Sequence, residues 1–139
     1  MSGKVTGIGG IFFVAKDPKK LYSWYEKCLG LKVNEYGFLF EKSENPADRG
    51  YLQLSAFSNN DYMQPSKKDF MSNFRVDDLN AILEKLEQEG TRPTKEVERF
   101  DYGNFAHILD PEGNKIELWE PVDAVMKEYA DKSGTNTAD

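Results

Sequence analysis

An α+β domain made of two βαβββ modules is the fold this sequence predicts, and three observations carry that expectation. A strand–helix–three-strand plan occurs twice, about sixty residues apart. Both helices open on aspartate and close on glycine. The last two strand-like runs bracket Asp110-Pro111-Glu112-Gly113-Asn114, where Pro pre-sets φ for an early turn position and Gly supplies positive φ, so that they become antiparallel neighbours.

The first module starts with the strand-like run Ile8–Ala15. Asp17 then caps a helix whose first residue is Pro18, a proline losing only an N–H that the first turn leaves unpaired. Leu21, Trp24, Tyr25, Cys28 and Leu29 follow at helical spacing, and Gly30 closes the helix in the left-handed conformation. Cys28 lies on that apolar stripe and reads as a small core residue rather than a nucleophile, no general base standing beside it in sequence. Lys32–Tyr36, Phe38–Lys42 and Tyr51–Phe57 read as the three following strands.

In the second module Phe70–Val76 is the leading strand, and Asp77-Asp78 caps a helix with Leu79, Ile82, Leu83 and Leu86 on one face and Gly90 at its end. Glu96–Asp101, Phe105–Leu109 and Lys115–Glu120 are the expected strands. The expected organisation is one domain over residues 1–132: module one over about 4–57, a polar linker over 58–69, module two over about 70–121, and a short C-terminal helix over 122–131 carrying Val122, Val125, Met126 and Tyr129. The small, polar residues 133–139 read as a disordered tail.

Within the closing hairpin, alternation puts Ile116 and Leu118 on one face and Glu117 and Trp119 on the other. Across the turn, Ala106 and Ile108 oppose Phe105, His107 and Leu109. The Ile116/Leu118 face reads as core. The other face mixes large apolar with ionisable groups and reads as the wall of a pocket. His107, the chain's single histidine, shares parity with Glu117 there, and both are candidate catalytic groups, His107 because an imidazole titrates near neutral pH.

Composition excludes other classes. The net charge is −6, with no basic stripe to neutralise phosphates, which argues against nucleic acid. No apolar run approaches the ~20 residues of a membrane span, and the N-terminus lacks the apolar core of a signal peptide, so a cytoplasmic protein with no membrane partner is expected. One cysteine excludes an internal disulfide and a Cys-rich zinc site.

The spacing of Asp17, Tyr25, Leu29 and Gly30, the hairpin "DPEGNKIELWEP" and the doubled βαβββ plan together resemble the vicinal oxygen chelate superfamily, which includes glyoxalase I, bleomycin-resistance proteins, extradiol dioxygenases and fosfomycin-resistance enzymes; the likeness spans Lys4 to Pro121. It implies curved mixed sheets around a cavity, with helices on the convex side. Metal-dependent members hold a divalent ion through a His or Gln on each module's first strand and a carboxylate on each last strand. Mapped onto this chain, those positions are Gly10, Gln53, Met71 and Glu117, and Glu117 alone keeps the ligand type. Glycine offers no side-chain donor and a thioether suits hard or borderline ions poorly. No cofactor is therefore expected. A weak divalent metal remains open, with Glu117, Gln53 and His107 as its candidate ligands.

If the mapped strand faces line the cavity, its ligand-binding residues are Phe12, Val14, Gln53, Ser55, Phe57, Met71, Asn73 and Arg75, with Tyr102 and Trp119 adding flat surfaces for stacking. Three readings stand side by side. The first is a metal-free protein of the bleomycin-resistance type that binds a small organic ligand. The second is a glyoxalase-like lyase or isomerase, or a dioxygenase-related enzyme, with no metal or with a weak or rebuilt site. The third is a structural dimer with a vestigial cavity. A homodimer is expected in each, because related two-module proteins commonly pair.

Overall fold

The computed structural model describes residues 3–41 and 50–136. Its elements run β1 (Val5–Val14), α1 (Pro18–Leu29), β2 (Phe38–Phe40), β3 (Leu52–Phe57), a turn of 3-10 helix (Asp61–Met63), β4 (Phe70–Val76), α2 (Leu79–Gln88), β5 (Glu98–Phe100), β6 (Gly103–Leu109), β7 (Lys115–Pro121) and α3 (Asp123–Ser133). Among the described residues the strands form one seven-stranded mixed sheet in the order β2-β3-β1-β4-β7-β6-β5. In each module the first strand runs parallel to the last, β1 to β3 and β4 to β7, the pairing a crossover helix permits. The modules join through the antiparallel pair β1–β4. No helix among the described residues is long and apolar enough to cross a membrane.

The caps are as the sequence predicts. Asp17 accepts the Lys20 N–H at 3.1 Å, Asp78 accepts that of Ala81 at 3.0 Å, and Gly30 has φ 71°. Each aspartate cap stabilises its helix by about 1 kcal/mol. In the closing turn Asp110 accepts the N–H groups of Glu112 and Asn114, and Gly113 has φ 81°. α2 buries Leu79 and packs Ile82, Leu83 and Leu86 over Val76, Ala106, Ile108 and Leu118. That is the Ile116/Leu118 face of β7. Each side chain fully buried there stabilises the fold by roughly 1.5–3 kcal/mol.

Three expectations need correction. Lys32–Tyr36 is not a strand: the segment closes on itself through the bridge Asn34↔Gly37, and Lys32 is tied to Asn136 instead of to a neighbouring strand. The same contacts order part of the expected tail. Asn136 also donates to the Leu39 carbonyl and bridges to Phe40, while 137–139, like Lys42, lie outside the described residues. The stripe on α1 is not core. The helix touches the sheet through Tyr22, which donates to the Ala56 carbonyl, and through ring contacts of Tyr22 and Tyr25 with Phe38. Trp24, Cys28 and Leu29 are therefore exposed.

α1 and α2 both cover the sheet face opposite Glu117. α3 lies on the Glu117 face, packing Met126 and Ala130 against Leu39, Tyr51 and Trp119. Arg75 anchors it. Its guanidinium donates to Asp123 at 3.3 Å and to the Tyr51 carbonyl at 3.3 Å, and lies over the Trp119 ring at 5.3 Å.

Candidate functional site

Strand register assembles one row of residues across the middle of the sheet. Gln53 pairs with Gly10, Gly10 with Asn73, Asn73 with Glu117, and Glu117 with His107. The parity that joined Glu117 to His107 in the sequence is thus a direct cross-strand pair.

Glu117 is 2 % exposed and fully engaged. Its Oε1 accepts from Asn73 Nδ2 at 2.7 Å; its Oε2 accepts from the Tyr62 hydroxyl at 2.5 Å and from His107 Nε2 at 2.7 Å. An ionised carboxylate only accepts, which assigns the imidazole proton to Nε2. His107 Nδ1 is buried without a partner among the described residues. Burial works to raise the Glu117 pKa, but the hydrogen bonds from His107, Tyr62 and Asn73 and the nearby imidazole outweigh it and hold the carboxyl below its usual range. Burial first, and then the Glu117 charge, push the Tyr62 phenol far above its usual range. The group is a locked anion with a neutral phenol pressed against it.

Tyr62 comes from the stretch read as linker. The 3-10 turn Asp61–Met63 swings it over the sheet, where its ring stacks on Phe57 at 5.3 Å and meets Phe12 edge-on. Lys115 holds the turn down by donating to the Tyr62 carbonyl at 2.5 Å, and its ammonium sits 5.1 Å from the ring centre. Burial pulls the Lys115 pKa down. The sequence signal was a lone Tyr-Met pair inside an otherwise polar segment.

Above this row opens a cavity of about 540 Å³. Of the expected ligand-binding residues, Phe12, Gln53, Ser55, Phe57, Asn73, Tyr102 and Trp119 line it, as does Glu117. The structure does not bring the other three, Val14, Met71 and Arg75, there. Val14 and Met71 pack around Phe12, Met71 buried with Met63 because it pairs with Phe12, two residues off the row. Arg75 lies behind Trp119, engaged with α3. His107 is wholly buried behind Glu117 and reaches the cavity through it. Sequence reasoning missed Gly9, Glu35, Tyr36, Tyr62, Asp101 and Phe105, and the α3 wall of Val125, Met126 and Tyr129. Phe105 stacks on Trp119 at 5.9 Å. An irregularity in β1 between Ile8 and Gly10 turns Gly9 toward the cavity, where a side chain would overlap the Asn73 amide.

The four positions that the resemblance assigns to a divalent ion do not fit one here. A Cβ at Gly10 would come within 2.9 Å of the Gln53 carbonyl and of the Phe12 ring, so the position is closed as well as donorless. Met71 is enclosed by apolar side chains. Gln53 turns its amide toward Ser55 at 3.3 Å. The lone pairs of Glu117 point at hydrogens of Asn73, Tyr62 and His107, where an ion would meet their positive ends. Among the described residues no three of His, Cys, Asp or Glu come together as a ligand set.

Comparison with known proteins matches residues 7–118 to the model of the Glyoxalase/Bleomycin resistance protein/Dioxygenase superfamily. No curated protein matches the chain. Among solved structures, it is similar to methylmalonyl-CoA epimerase from Mycobacterium tuberculosis, with TM-score 0.59, 22% identity and coverage of 88% of this chain and 93% of that one. It is also similar to a point variant of Streptomyces coelicolor methylmalonyl-CoA epimerase in complex with 2-nitronate-propionyl-CoA, with TM-score 0.62, 16% identity and coverage of 86% and 99%. A hypothetical protein, BH1468 from Bacillus halodurans C-125, aligns with TM-score 0.53 and 15% identity over 88% and 96%. At these identities the likeness is one of fold.

Proposed function

The chain belongs to the Glyoxalase/Bleomycin resistance protein/Dioxygenase superfamily, and from that premise we propose that it is a small-molecule-binding protein whose cavity works without a divalent metal ion. The observation that carries this reading is Glu117: at the position of a family ligand, both its oxygens are taken up by donors of the protein itself. Around it the cavity is mainly aromatic, with a few fixed polar groups, the usual make-up of a small-molecule site. Glu117 would then serve as a pre-set acceptor that fixes Asn73 and Tyr62 as parts of the floor.

Titration of the protein with a library of flat aromatic compounds, followed by NMR, tests the reading. Binders should shift resonances of Phe57, Trp119 and Tyr129, and Val125→Trp, which fills the cavity, should abolish the shifts. Binders that leave those residues unmoved, or a library with none, would refute it.

A second reading is favoured by one feature, the Tyr62–Glu117–His107 chain of hydrogen bonds. Such a chain can relay a proton, so a metal-independent lyase or isomerase would use Glu117 and His107 as acid–base groups. It requires the locked carboxylate to open when substrate enters. Solvent deuterium incorporated into a bound carbonyl compound, and lost in Glu117→Gln, is the result that would favour it over binding alone.

A homodimer is part of the proposal. Val5, Ile8, Ile11 and Phe70 are all about half exposed. They belong to the central β1–β4 pair, where Ile11 alternates with the cavity-lining Phe12 and so faces away from the cavity. An apolar strip of that kind is one a second copy would cover. The proposed setting is the cytoplasm, which suits an exposed free thiol at Cys28.

A further inference from the structure

We propose that the cavity takes an organic cation, its flat apolar body in the aromatic slot and its positive charge held at the mouth by two acid–tyrosine turns. The inference rests on the binding reading above and names the ligand class for it. Glu35-Tyr36 is a two-residue turn bracketed by the pair Asn34↔Gly37. Asp101-Tyr102 is a two-residue turn bracketed by Phe100↔Gly103. The two modules thus each supply one acid–Tyr–Gly turn, and all four side chains line the same cavity.

The glycines make this placement possible. Gly37 has φ 128° and Gly103 φ 148°, conformations that side chains rarely adopt. A Cβ on Gly37 would overlap the Leu54 carbonyl, and one on Gly103 would lie 2.5 Å from the Trp119 indole nitrogen. Each turn is therefore seated directly on the sheet, presenting its acid and phenol over the opening. Tyr36 is 61 % exposed and Tyr102 40 %, with Tyr102 stacked on Phe100 at 5.1 Å. A tyrosine face beside a carboxylate attracts a cation twice, through the ring quadrupole and through charge.

Two independent features point the same way. Asn73 lines the cavity and is 2 % exposed; its amide nitrogen is committed to Glu117, while its Oδ1 has no partner among the described residues. A buried acceptor without a donor matches a ligand N–H. The lining also carries three carboxylates, Glu35, Asp101 and Glu117, and no Lys, Arg or His among the described residues. Three cations lie against the aromatic walls without lining the cavity, each with a partner of its own: Arg75 on Trp119 is paired with Asp123, while Lys95 and Lys115 beside the Tyr62 ring are bonded to Glu98 and to the Tyr62 carbonyl. His107 is sealed behind Glu117. Among the described side chains that line the cavity, the charged ones an anionic ligand would meet are all carboxylates, which selects against it.

Calorimetry with three flat tricyclic probes tests the inference: proflavine, a cation with amino donors; diaminofluorene, neutral with the same donors; and acridine carboxylate, an anion. Proflavine should bind tightest, in equimolar ratio, and weaken as salt is added. The double variant Glu35→Gln with Asp101→Asn should weaken proflavine by about tenfold while changing diaminofluorene by less than about twofold. Both residues are exposed, so the variant should fold; circular dichroism checks that. Equal affinity for the neutral probe, or proflavine binding untouched by the double variant, overturns the cation inference and leaves the binding reading standing. Proflavine binding that survives Val125→Trp is adventitious and overturns it too. No binding by any probe overturns both readings.

Discussion

The environment of Glu117 makes two opposite pH dependences. Its folded pKa lies below the ordinary 4.5, so its contribution to stability is present above that value and is lost as pH falls through the folded value. The Tyr62 phenol is raised above its ordinary 10.0, so its contribution is present below that value and is lost as pH rises beyond it. Urea unfolding as a function of pH should show an acid limb that flattens in Glu117→Gln and an alkaline limb that flattens in Tyr62→Phe. Tyr62→Phe should also cost about 1.5–3 kcal/mol at neutral pH, the range for a hydrogen bond to a charged group. An unchanged acid limb in Glu117→Gln would mean the carboxylate is not held as described. At this scale the sequence was legible where parity alone decides the neighbour, as for Glu117 and His107. It was not legible for Tyr62, whose place depends on a loop path that no periodicity encodes, or for Met71, which the row passes by in favour of Asn73.

At the scale of elements, α3 is both a wall of the cavity and a dependent of the sheet. Its anchor is the Arg75–Asp123 pair, in which Arg75 is buried and Asp123 is about two-fifths exposed. Asp123→Ala should therefore cost only about 1 kcal/mol, the upper range for a screened pair. It should still speed amide exchange at Val125–Ala130 relative to the surface-pair control Lys127→Ala. Exchange no faster than in that control would place the anchor elsewhere, in the Met126 and Ala130 packing. Gly37→Ala tests the turn: it forces a strained φ and an overlap with the Leu54 carbonyl, with an expected loss of roughly 1–3 kcal/mol read by thermal unfolding. Helices α1 and α2 were legible from their caps, and the closing hairpin from its turn chemistry. The amphipathic pattern of the last helix was legible too, but not the face it covers, since a stripe at Val125, Met126 and Tyr129 says only that something apolar is opposite. Lys32–Tyr36 misled because local strand propensity was overridden by a tertiary contact, the tie of Lys32 to Asn136.

For the whole molecule, the doubled plan was the most legible feature, because each module repeats the same crossover and the two meet in the sheet at the antiparallel β1–β4 pair. The cavity's chemistry was half legible: strand alternation places Phe12, Gln53, Ser55, Phe57 and Asn73, whereas Glu35, Tyr36 and Asp101 enter from turns. If the exposed strip on the outer face is a dimer contact, light scattering should give twice the chain mass at micromolar concentration, and Ile11→Glu should return it to the chain mass. A wild type that is monomeric at high micromolar concentration would sink the dimer. A cavity that works without a divalent ion, because its one family carboxylate is already satisfied, should be silent in calorimetric titration of untagged, chelator-free protein with Zn²⁺, Ni²⁺ and Mn²⁺. No stoichiometric binding is expected at micromolar metal. Tight equimolar binding that disappears in Glu117→Gln would contradict it.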